Sequence, residues 1–199
     1  MLVTISGLPG SGTTTVSRLA AEALDVPVVP GGEVFRQMAA EAGMSLADFG
    51  RHAQDHPEID RTLDDRLTER ARTGRCVIES RLAGWLATRA GLAAVRVWVA
   101  CDDEERARRV GARDGRTLAE ALSDNLDREA LERARYQEFY DIDLTDLSIY
   151  DLVLDSTTTP PEALAEAVVT AARERFAAGC AAATGGRARP RRRPAGPPR

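Results

Sequence analysis

A glycine-rich segment near the start of the chain constrains the fold more than any other feature. It follows the β-branched run at residues 2–6 and precedes an amphipathic stretch at 13–24. Its residues, which are also the predicted cofactor-binding residues, are Gly7, Leu8, Pro9, Gly10, Ser11, Gly12, Thr13, Thr14 and Thr15. Glycines let the backbone turn successive N–H groups inward, and the N-terminus of a following helix adds donors and partial positive charge. A strand, this loop and a helix in that order predict a phosphate-binding loop.

The spacing within the loop indicates which kind of phosphate site it forms. It matches G-x-x-x-x-G-K-[ST] from Gly7 to Thr14, except that Thr13 stands where a lysine is expected. In that pattern the Thr14 hydroxyl is the ligand of Mg²⁺, and the loop amides surround the β-phosphate of ATP. The glycines lack the G-x-G-x-x-G spacing of dinucleotide sites, which argues against hydride transfer. A glycine-containing turn with no ligand is the alternative, although three threonines are poor residues for opening a helix.

Composition and charge exclude several classes of protein. Of the 199 residues, 43% are apolar, which is too many for a disordered protein, and no apolar run approaches the roughly 18 residues of a membrane helix. The N-terminus lacks the pattern of a secretory signal, and the scattered Cys76, Cys101 and Cys180 suit neither disulfides nor a zinc site. We therefore expect a cytoplasmic protein with no membrane partner. All 27 basic residues are arginine, so arginine, Mg²⁺ or backbone amides must compensate for the missing loop lysine.

Short β-branched runs alternate with long amphipathic stretches over most of the chain. The predicted strands are residues 2–6, 27–29, 76–79, 95–100 and 152–155. The predicted helices are residues 13–24, 32–42, 45–54, 57–73, 81–89, 102–112, 117–138 and 160–177. Alternation of this kind builds a parallel sheet covered by helices. The pattern predicts a three-layer α/β fold formed by one domain at residues 1–178.

The C-terminal segment differs from the rest of the chain in composition. Residues 179–199 hold six arginines and no acid, and they mix Ala, Gly, Pro and Arg without periodicity. This composition predicts a disordered basic tail. A basic tail can bind nucleic acid by neutralising phosphates, but short ends of this composition also arise without a function, and we do not favour a nucleic-acid partner.

Charged residues follow the predicted strands at positions where a second ligand would bind. Arg36 lies one turn inside the helix after the second strand, and Glu79 and Arg81 lie at the end of the third. Open α/β sheets bind ligands beyond the carboxyl ends of their strands, so these residues should share one crevice with the phosphate loop. Two arginines suit a second phosphate through planar bidentate contacts. Taken singly, each arginine could equally be a solvated surface charge.

Five collinear segments resemble the short, archaeal-type cytidylate kinases, a branch of the nucleoside monophosphate kinases among the P-loop NTPases. The segments are GLPGSGTTT at 7–15, GGEVFR at 31–36, SLADFGRHAQDHPEID at 45–60, ESRLAGW at 79–85 and IDLTDLSIYDLVLDST at 142–157. The resemblance implies a helical monophosphate-binding region at about 30–75 and a lid at about 106–147. It implies transfer of the γ-phosphoryl group of ATP to CMP or dCMP, with Arg36, Glu79 and Arg81 holding the monophosphate. It also implies that threonine is tolerated at position 13.

The same resemblance gives a role to arginines that recur on two predicted helices. The predicted catalytic residues are Arg109, Arg113, Arg128 and Arg135. They are expected to belong to an arginine-rich lid that closes over the phosphates, excludes water and neutralises charge in the transition state. Acids between them, such as Glu129 and Glu132, leave a second interpretation open, because alternating charge is also typical of a solvated helix.

Three functions remain open on the sequence. The favoured one is a Mg²⁺- and ATP-dependent kinase for CMP and dCMP that acts on small-molecule nucleotides as a monomer. The nearest alternative is a kinase for UMP or AMP. The alternative from a different class is a degenerate, non-catalytic nucleotide-binding protein, motivated by Thr13 and the basic tail. His52 and His56 lie four residues apart but have no third ligand, so we do not expect them to bind a metal. The predicted metal ligand is Thr14, from its place in the phosphate-loop pattern.

Overall fold

The computed structural model describes residues 1–184 and contains a five-stranded sheet. The strands are β1 (Leu2–Gly7), β2 (Val28–Pro30), β3 (Cys76–Glu79), β4 (Val95–Ala100) and β5 (Leu152–Asp155). They lie in the order β2-β3-β1-β4-β5, and each neighbouring pair is parallel. The predicted strands are confirmed, each within one residue at either end.

Helices connect the strands and cover both faces of the sheet. They are α1 (Thr13–Leu24), α2 (Gly31–Glu41), α3 (Leu46–Asp55), α4 (Pro57–Arg72), α5 (Ala83–Arg89), α6 (Asp103–Asp114), α7 (Leu118–Tyr140) and α8 (Pro161–Thr184). Local signals set several ends: Pro57 opens α4, Gly115 ends α6 at φ 70°, and Thr117 forms a capping box with Glu120 at the start of α7.

Two apolar cores lie on opposite faces of the sheet. Because side chains alternate along a strand, Leu2 of β1 packs towards α2, α4 and α5, whereas Val3 and Ile5 pack towards α1 and α8. Val97 of β4 joins the second core and is fully buried. Helices, sheet and helices therefore form three layers, and the predicted α/β fold class is confirmed.

The order of the strands determines where a ligand can bind. The chain passes from β1 to β2 and β3 on one side of the sheet, and then crosses to β4 and β5 on the other. This reversal at β1 creates a crevice beyond the carboxyl ends of the strands. Ile5 of β1 is aligned with Glu79 of β3, so the loop after β1 and the residues after β3 open into the same crevice.

The last helix extends further than predicted. We placed its end at residue 177 and the disordered tail at 179–199, but α8 continues to Thr184, so the boundary was wrong for residues 179–184. Five of the seven residues from 177 to 183 are alanine, the strongest helix former, which offsets the cost of Gly179. The rest of the predicted tail, residues 185–199, lies outside the described part of the chain. None of the helices within residues 1–184 is long and apolar enough to cross a membrane.

Candidate active site

The glycine-rich loop wraps around the N-terminus of α1. Gly10 and Gly12 have φ of 84° and 88°, in the left-handed region that favours glycine. Gly10 also meets a close neighbour, because a Cβ added there would lie 2.6 Å from the carbonyl oxygen of Arg106. The loop therefore has left-handed glycines directly before a helix N-terminus, the local backbone pattern of an anion site.

Thr13 replaces the expected lysine with a hydroxyl that contacts an acid. Its Oγ1 donates a hydrogen bond of 2.9 Å to Oε1 of Glu79, at the end of β3. The contact ties the first turn of α1 to the neighbouring strand. Position 13 therefore contributes a neutral hydroxyl bound to a carboxylate in place of a cation.

The oxygen atoms near the loop fit a magnesium ion that is shared with a nucleotide phosphate. The exposed Thr14 lies in the first turn of α1, and the Glu79 carboxylate ends β3. Mg²⁺ prefers oxygen ligands and usually keeps waters while binding to one or two protein groups and to substrate phosphates. Within residues 1–184, no group of three His, Cys, Asp or Glu side chains could hold a metal. A phosphate-bearing ligand would have to complete such a site.

A cavity of about 1070 Å³ opens beside the loop. One side is formed by the loop and the end of β3, a second by α2, α3 and α4, and a third by α7. Its polar lining residues include Thr13, Gln54, Asp60, Asp64, Glu79, Ser80, Arg81, Arg128, Glu132 and Arg135, and its aromatic lining residues are Phe35, Tyr136 and Phe139. The cavity connects the predicted phosphate loop with Glu79 and Arg81, two of the three residues predicted to hold the second phosphate.

Arg81 lies between the phosphate loop and α7. Its guanidinium donates through Nη1 to the Gly7 carbonyl and through Nε to Oε2 of Glu132 at 2.8 Å. Arg128 donates to the other Glu132 oxygen, also at 2.8 Å. Burial raises the pKa of the Glu132 carboxyl, but the two arginines outweigh burial and hold that pKa below its usual value. Glu132 is therefore an ionised carboxylate that fixes both guanidinium groups at the cavity wall.

Arg109 lies against the phosphate loop but does not line the cavity. It donates to the Ser156 carbonyl at 2.7 Å and to the Gly10 carbonyl at 3.4 Å. Its Nε pairs with Glu105 at 2.7 Å. Arg109 thus connects the loop with the segment after β5 and places a positive charge next to the loop backbone.

Among the predicted arginines, Arg36 and Arg113 lie neither in the cavity lining nor against the phosphate loop. Arg36 is exposed on α2, and its guanidinium lies near Gly32, outside the cavity lining. The Arg113 side chain is 69% exposed and pairs with its neighbour Asp114 at 2.7 Å. Arg36 was predicted from its place after the second strand and from the family resemblance, and Arg113 from helical spacing and the same resemblance. Neither signal determines which way a helix face turns.

Sequence reasoning gave no role to a buried ion pair behind the loop. Arg106 of α6 is 1% exposed, pairs with Glu129 of α7, and donates to the Pro9 carbonyl at 3.2 Å. The pair joins α6, α7 and the phosphate loop. In the sequence, Arg106 and Glu129 look like the charges of an ordinary solvated helix. The spacing of residues within α6 or within α7 does not show that these two helices pack against each other.

The acids Asp60 and Asp64 on α4 were also given no role. Both line the cavity, and Arg135, one of the predicted catalytic arginines, has its Nε 3.1 Å from Oδ2 of Asp60. Burial raises the pKa of the Asp64 carboxyl to about 7. The signal available in the sequence was the four-residue spacing of two acids on one helix face, which is common on solvated helices.

Solved structures share this architecture at low sequence identity. The chain superposes on the shikimate kinase of Aquifex aeolicus with a TM-score of 0.60 and 18% identity, covering 90% of this chain and 99% of that one. A gluconokinase from Sinorhizobium meliloti gives a TM-score of 0.58 at 17% identity, covering 92% and 96%. At these identities the likeness establishes the fold alone. Together with the loop, it defines the class as an α/β phosphate-loop protein.

Sequence relatives then identify the family. Residues 2–158 match the model of the cytidylate kinase-like family, and the chain belongs to that family. The cytidylate kinase of Pyrococcus horikoshii is 46% identical over 162 residues, which span 81% of this chain and 83% of that protein. The cytidylate kinase of Methanocaldococcus jannaschii is 44% identical over 158 residues, which span 79% and 89%.

Proposed function

We propose that this protein transfers the γ-phosphoryl group of ATP to CMP and dCMP with the help of Mg²⁺. The observation that carries the proposal is that one continuous cavity joins the phosphate loop to Arg81 and to the wall formed by α4 and α7. One end suits the phosphates of a donor, and the other has room and polar groups for a second nucleotide. The curated relatives that cover most of this chain are named cytidylate kinases, which supports CMP as the acceptor.

On this proposal the loop holds the donor phosphates. The amides from Gly10 to Thr15 and the N-terminus of α1 supply hydrogen bonds and partial positive charge without any side chain. Thr14 is the residue that would hold Mg²⁺ directly. When bound, the ion neutralises the phosphate oxygens between which the transferred group moves.

Arg81 is the residue proposed to hold the acceptor phosphate. It is 16% exposed and already oriented by Gly7 and Glu132, so little conformational entropy is lost when it binds a ligand. A guanidinium fixed next to the loop brings an acceptor phosphate close to the transferred group. Phosphoryl transfer of this kind depends on positioning and charge neutralisation and needs no covalent enzyme intermediate.

Arg109, Arg128 and Arg135 are proposed to supply the remaining positive charge. Arg128 and Arg135 lie on the cavity wall, and Arg109 lies behind the loop. Because the chain contains no lysine, the charge missing at Thr13 has to be replaced by arginine side chains, Mg²⁺ or backbone amides. Arg36 and Arg113 keep their proposed roles only if α2 and α6 move when substrates bind.

The decisive experiment measures ADP release with Mg²⁺ and ATP against all common ribo- and deoxyribonucleoside monophosphates. We expect the highest kcat/KM with CMP and dCMP. If UMP or AMP is preferred, the proposed acceptor is wrong but the proposed phosphoryl transfer stands. Binding of ATP without transfer to any acceptor would contradict the proposal and leave a nucleotide-binding protein without this activity.

A further inference from the structure

Two carboxyl groups line the cavity and have no part in the proposed phosphoryl transfer, although one of them pairs with Arg135. Asp60 and Asp64 lie one turn apart on α4 and face Arg135 and Tyr140 of α7. Asp60 Oδ2 and Arg135 Nε are buried and lie 3.1 Å apart without a hydrogen bond between them, and the Tyr140 hydroxyl lies against the Asp64 carboxyl. Buried polar atoms in folded proteins are normally satisfied. Their convergence at a cavity wall indicates a ligand with polar groups of its own.

The distance between this wall and the proposed phosphate site follows from the positions of residues along α7. Glu132 binds Arg81 at the phosphate end, Arg135 adjoins Asp60, and Tyr140 lies beside Asp64. A helix rises about 1.5 Å per residue, so Glu132 and Tyr140 are separated by about 12 Å along the axis. A nucleoside monophosphate can span this length, with its phosphate at Arg81 and its base at the two aspartates.

The protonation state of the pair determines which base edge it fits. Burial raises the pKa of the Asp64 carboxyl to about 7, and the charges of Asp60 and Asp65 on the same helix raise it further, against Tyr140 and Arg135 of α7. Burial likewise raises the pKa of Asp60, against the charge of Arg135. At neutral pH the pair therefore offers several acceptor oxygens and, for a large share of molecules, one O–H donor.

We propose that Asp60 and Asp64 read the base of the acceptor nucleotide, accepting a hydrogen bond from an exocyclic amine and donating one to the adjacent ring nitrogen. Cytosine presents this donor and acceptor at N4 and N3, whereas uracil presents an oxygen and an N–H. The Asp60 carboxylate that pairs with Arg135 accepts but does not donate, so uracil would place its O4 against an acceptor, which penalises binding. Phe35 and Phe139 line the same cavity and supply apolar faces for the ring. This inference rests on the proposed kinase function.

Variants of Asp64 test the inference through the ratio of kcat/KM for CMP to kcat/KM for UMP. Asp64→Leu removes both donor and acceptor and should lower that ratio by about 10- to 150-fold, the effect of losing a strong hydrogen bond. Asp64→Asn keeps one donor and one acceptor and should stay within about threefold of wild type. Glu69→Gln is the matched control, because Glu69 is exposed on α4 and lies outside the cavity lining.

Two further measurements separate the possible failures. If Asp64→Leu does not fold, Asp60→Asn keeps the size of the side chain and should also lower the CMP-to-UMP ratio, because an NH₂ replaces one acceptor. The KM for ATP should not change in any variant. A wild-type protein that fails to phosphorylate CMP overturns the proposed function. An active wild type whose ratio survives both Asp64→Leu and Asp60→Asn overturns the base-reading role alone, and equal losses for Asp64→Asn and Asp64→Leu overturn the donor role of Asp64.

Discussion

Glu132, at the phosphate-loop end of the cavity, lies between Arg81 and Arg128, whereas Asp60 and Asp64, at the α4 end, share Arg135. The pKa of Glu132 is consequently lowered and that of Asp64 is raised to about 7. Glu132 and Asp64 are both largely buried, so the number of nearby cations decides whether the pKa of each carboxyl is lowered or raised. One cavity thus holds a permanently charged end suited to phosphate and an end that can be neutral, suited to an uncharged base.

The two ends also differ in what builds them. Main-chain groups of one short segment form the loop, while side chains from α4 and α7 form the opposite wall. A site made of backbone depends on glycine conformations, and a site made of side chains depends on charge balance. Substitutions should therefore have different consequences at the two ends.

The largest effect is expected from Gly10→Ala at the phosphate-loop end. The new Cβ would meet the Arg106 carbonyl at 2.6 Å in a backbone with φ of 84°. Left-handed strain and overpacking together should lower the free energy of unfolding by about 2 to 5 kcal/mol, and displacement of the loop should lower kcat/KM by about 100-fold. Urea unfolding and ADP-release assays measure both quantities.

Gly43→Ala is the matched control for backbone strain. Gly43 has φ of 66° but has no atom within 4 Å of an added Cβ. It should lose only about 1 to 2 kcal/mol of stability and keep its kinetic constants. Equal losses of activity in the two variants would show that left-handed strain, not the contact with Arg106, explains the sensitivity of the loop.

The titration of Asp64 at the α4 end should make the free energy of unfolding depend on pH. The pKa of Asp64 is about 7 in the folded protein and near 3.8 in the unfolded chain. The folded state therefore binds more protons between these values, and stability falls as pH rises from about 4 to about 7. At about 1.4 kcal/mol per pKa unit, the upper limit of this loss is about 4 kcal/mol.

Asp64→Asn should remove this dependence. As pH rises from 4 to 7, the free energy of unfolding of wild type should fall while that of Asp64→Asn stays constant. Urea titrations at matched ionic strength measure this difference. The exposed Glu69→Gln on the same helix should retain the wild-type slope. Parallel curves for wild type and Asp64→Asn would mean that Asp64 is ionised in the folded protein and that the two ends of the cavity do not differ in charge.

These contrasts explain which features the sequence could predict. The strands were predicted because alternating β-branched and amphipathic stretches reflect local periodicity, and the loop was predicted because Gly7 to Thr15 is contiguous. The order of the strands and the end of α8 were not. Asp60 and Asp64 were given no role and the buried Arg106–Glu129 pair was not predicted, because the partners lie on another helix and charges at helical spacing are more often solvated. A pattern within one helix cannot show which helix packs against it.

Arg81 provides a third test, at the boundary of the two ends. Arg81→Lys keeps a positive charge but loses the planar fork that contacts Gly7 and Glu132. We expect kcat/KM for CMP to fall by about 10- to 150-fold, with little change in the KM for ATP. Arg36→Lys is the comparison, and its exposed position outside the cavity predicts a smaller loss. Equal losses would mean that α2 brings Arg36 to the acceptor phosphate when substrate binds.

The hydroxyl at position 13 should have a more modest effect. Thr13→Val has nearly the same shape but cannot donate to Glu79, and it should lower kcat by about tenfold, as expected for one hydrogen bond to a charged group. Thr13→Ser keeps the hydroxyl and should remain within about threefold of wild type. If valine and serine are equally active, the Thr13–Glu79 contact does not support catalysis, and the missing lysine is compensated by arginine alone.

The smallest effect is expected at Arg113, compared with Arg109 on the same helix. Arg113 is 69% exposed, pairs with Asp114 and lies outside the cavity lining, so Arg113→Ala should lower kcat by less than about fivefold, or about 1 kcal/mol in the barrier. Arg109 donates to the carbonyls of Gly10 and Ser156, so Arg109→Ala should lower kcat by more than about tenfold. Steady-state assays at saturating ATP and CMP compare the two variants directly. A loss at Arg113 as large as that at Arg109 would require its guanidinium to leave Asp114 for the phosphates during turnover, which identifies α6 as a lid that moves.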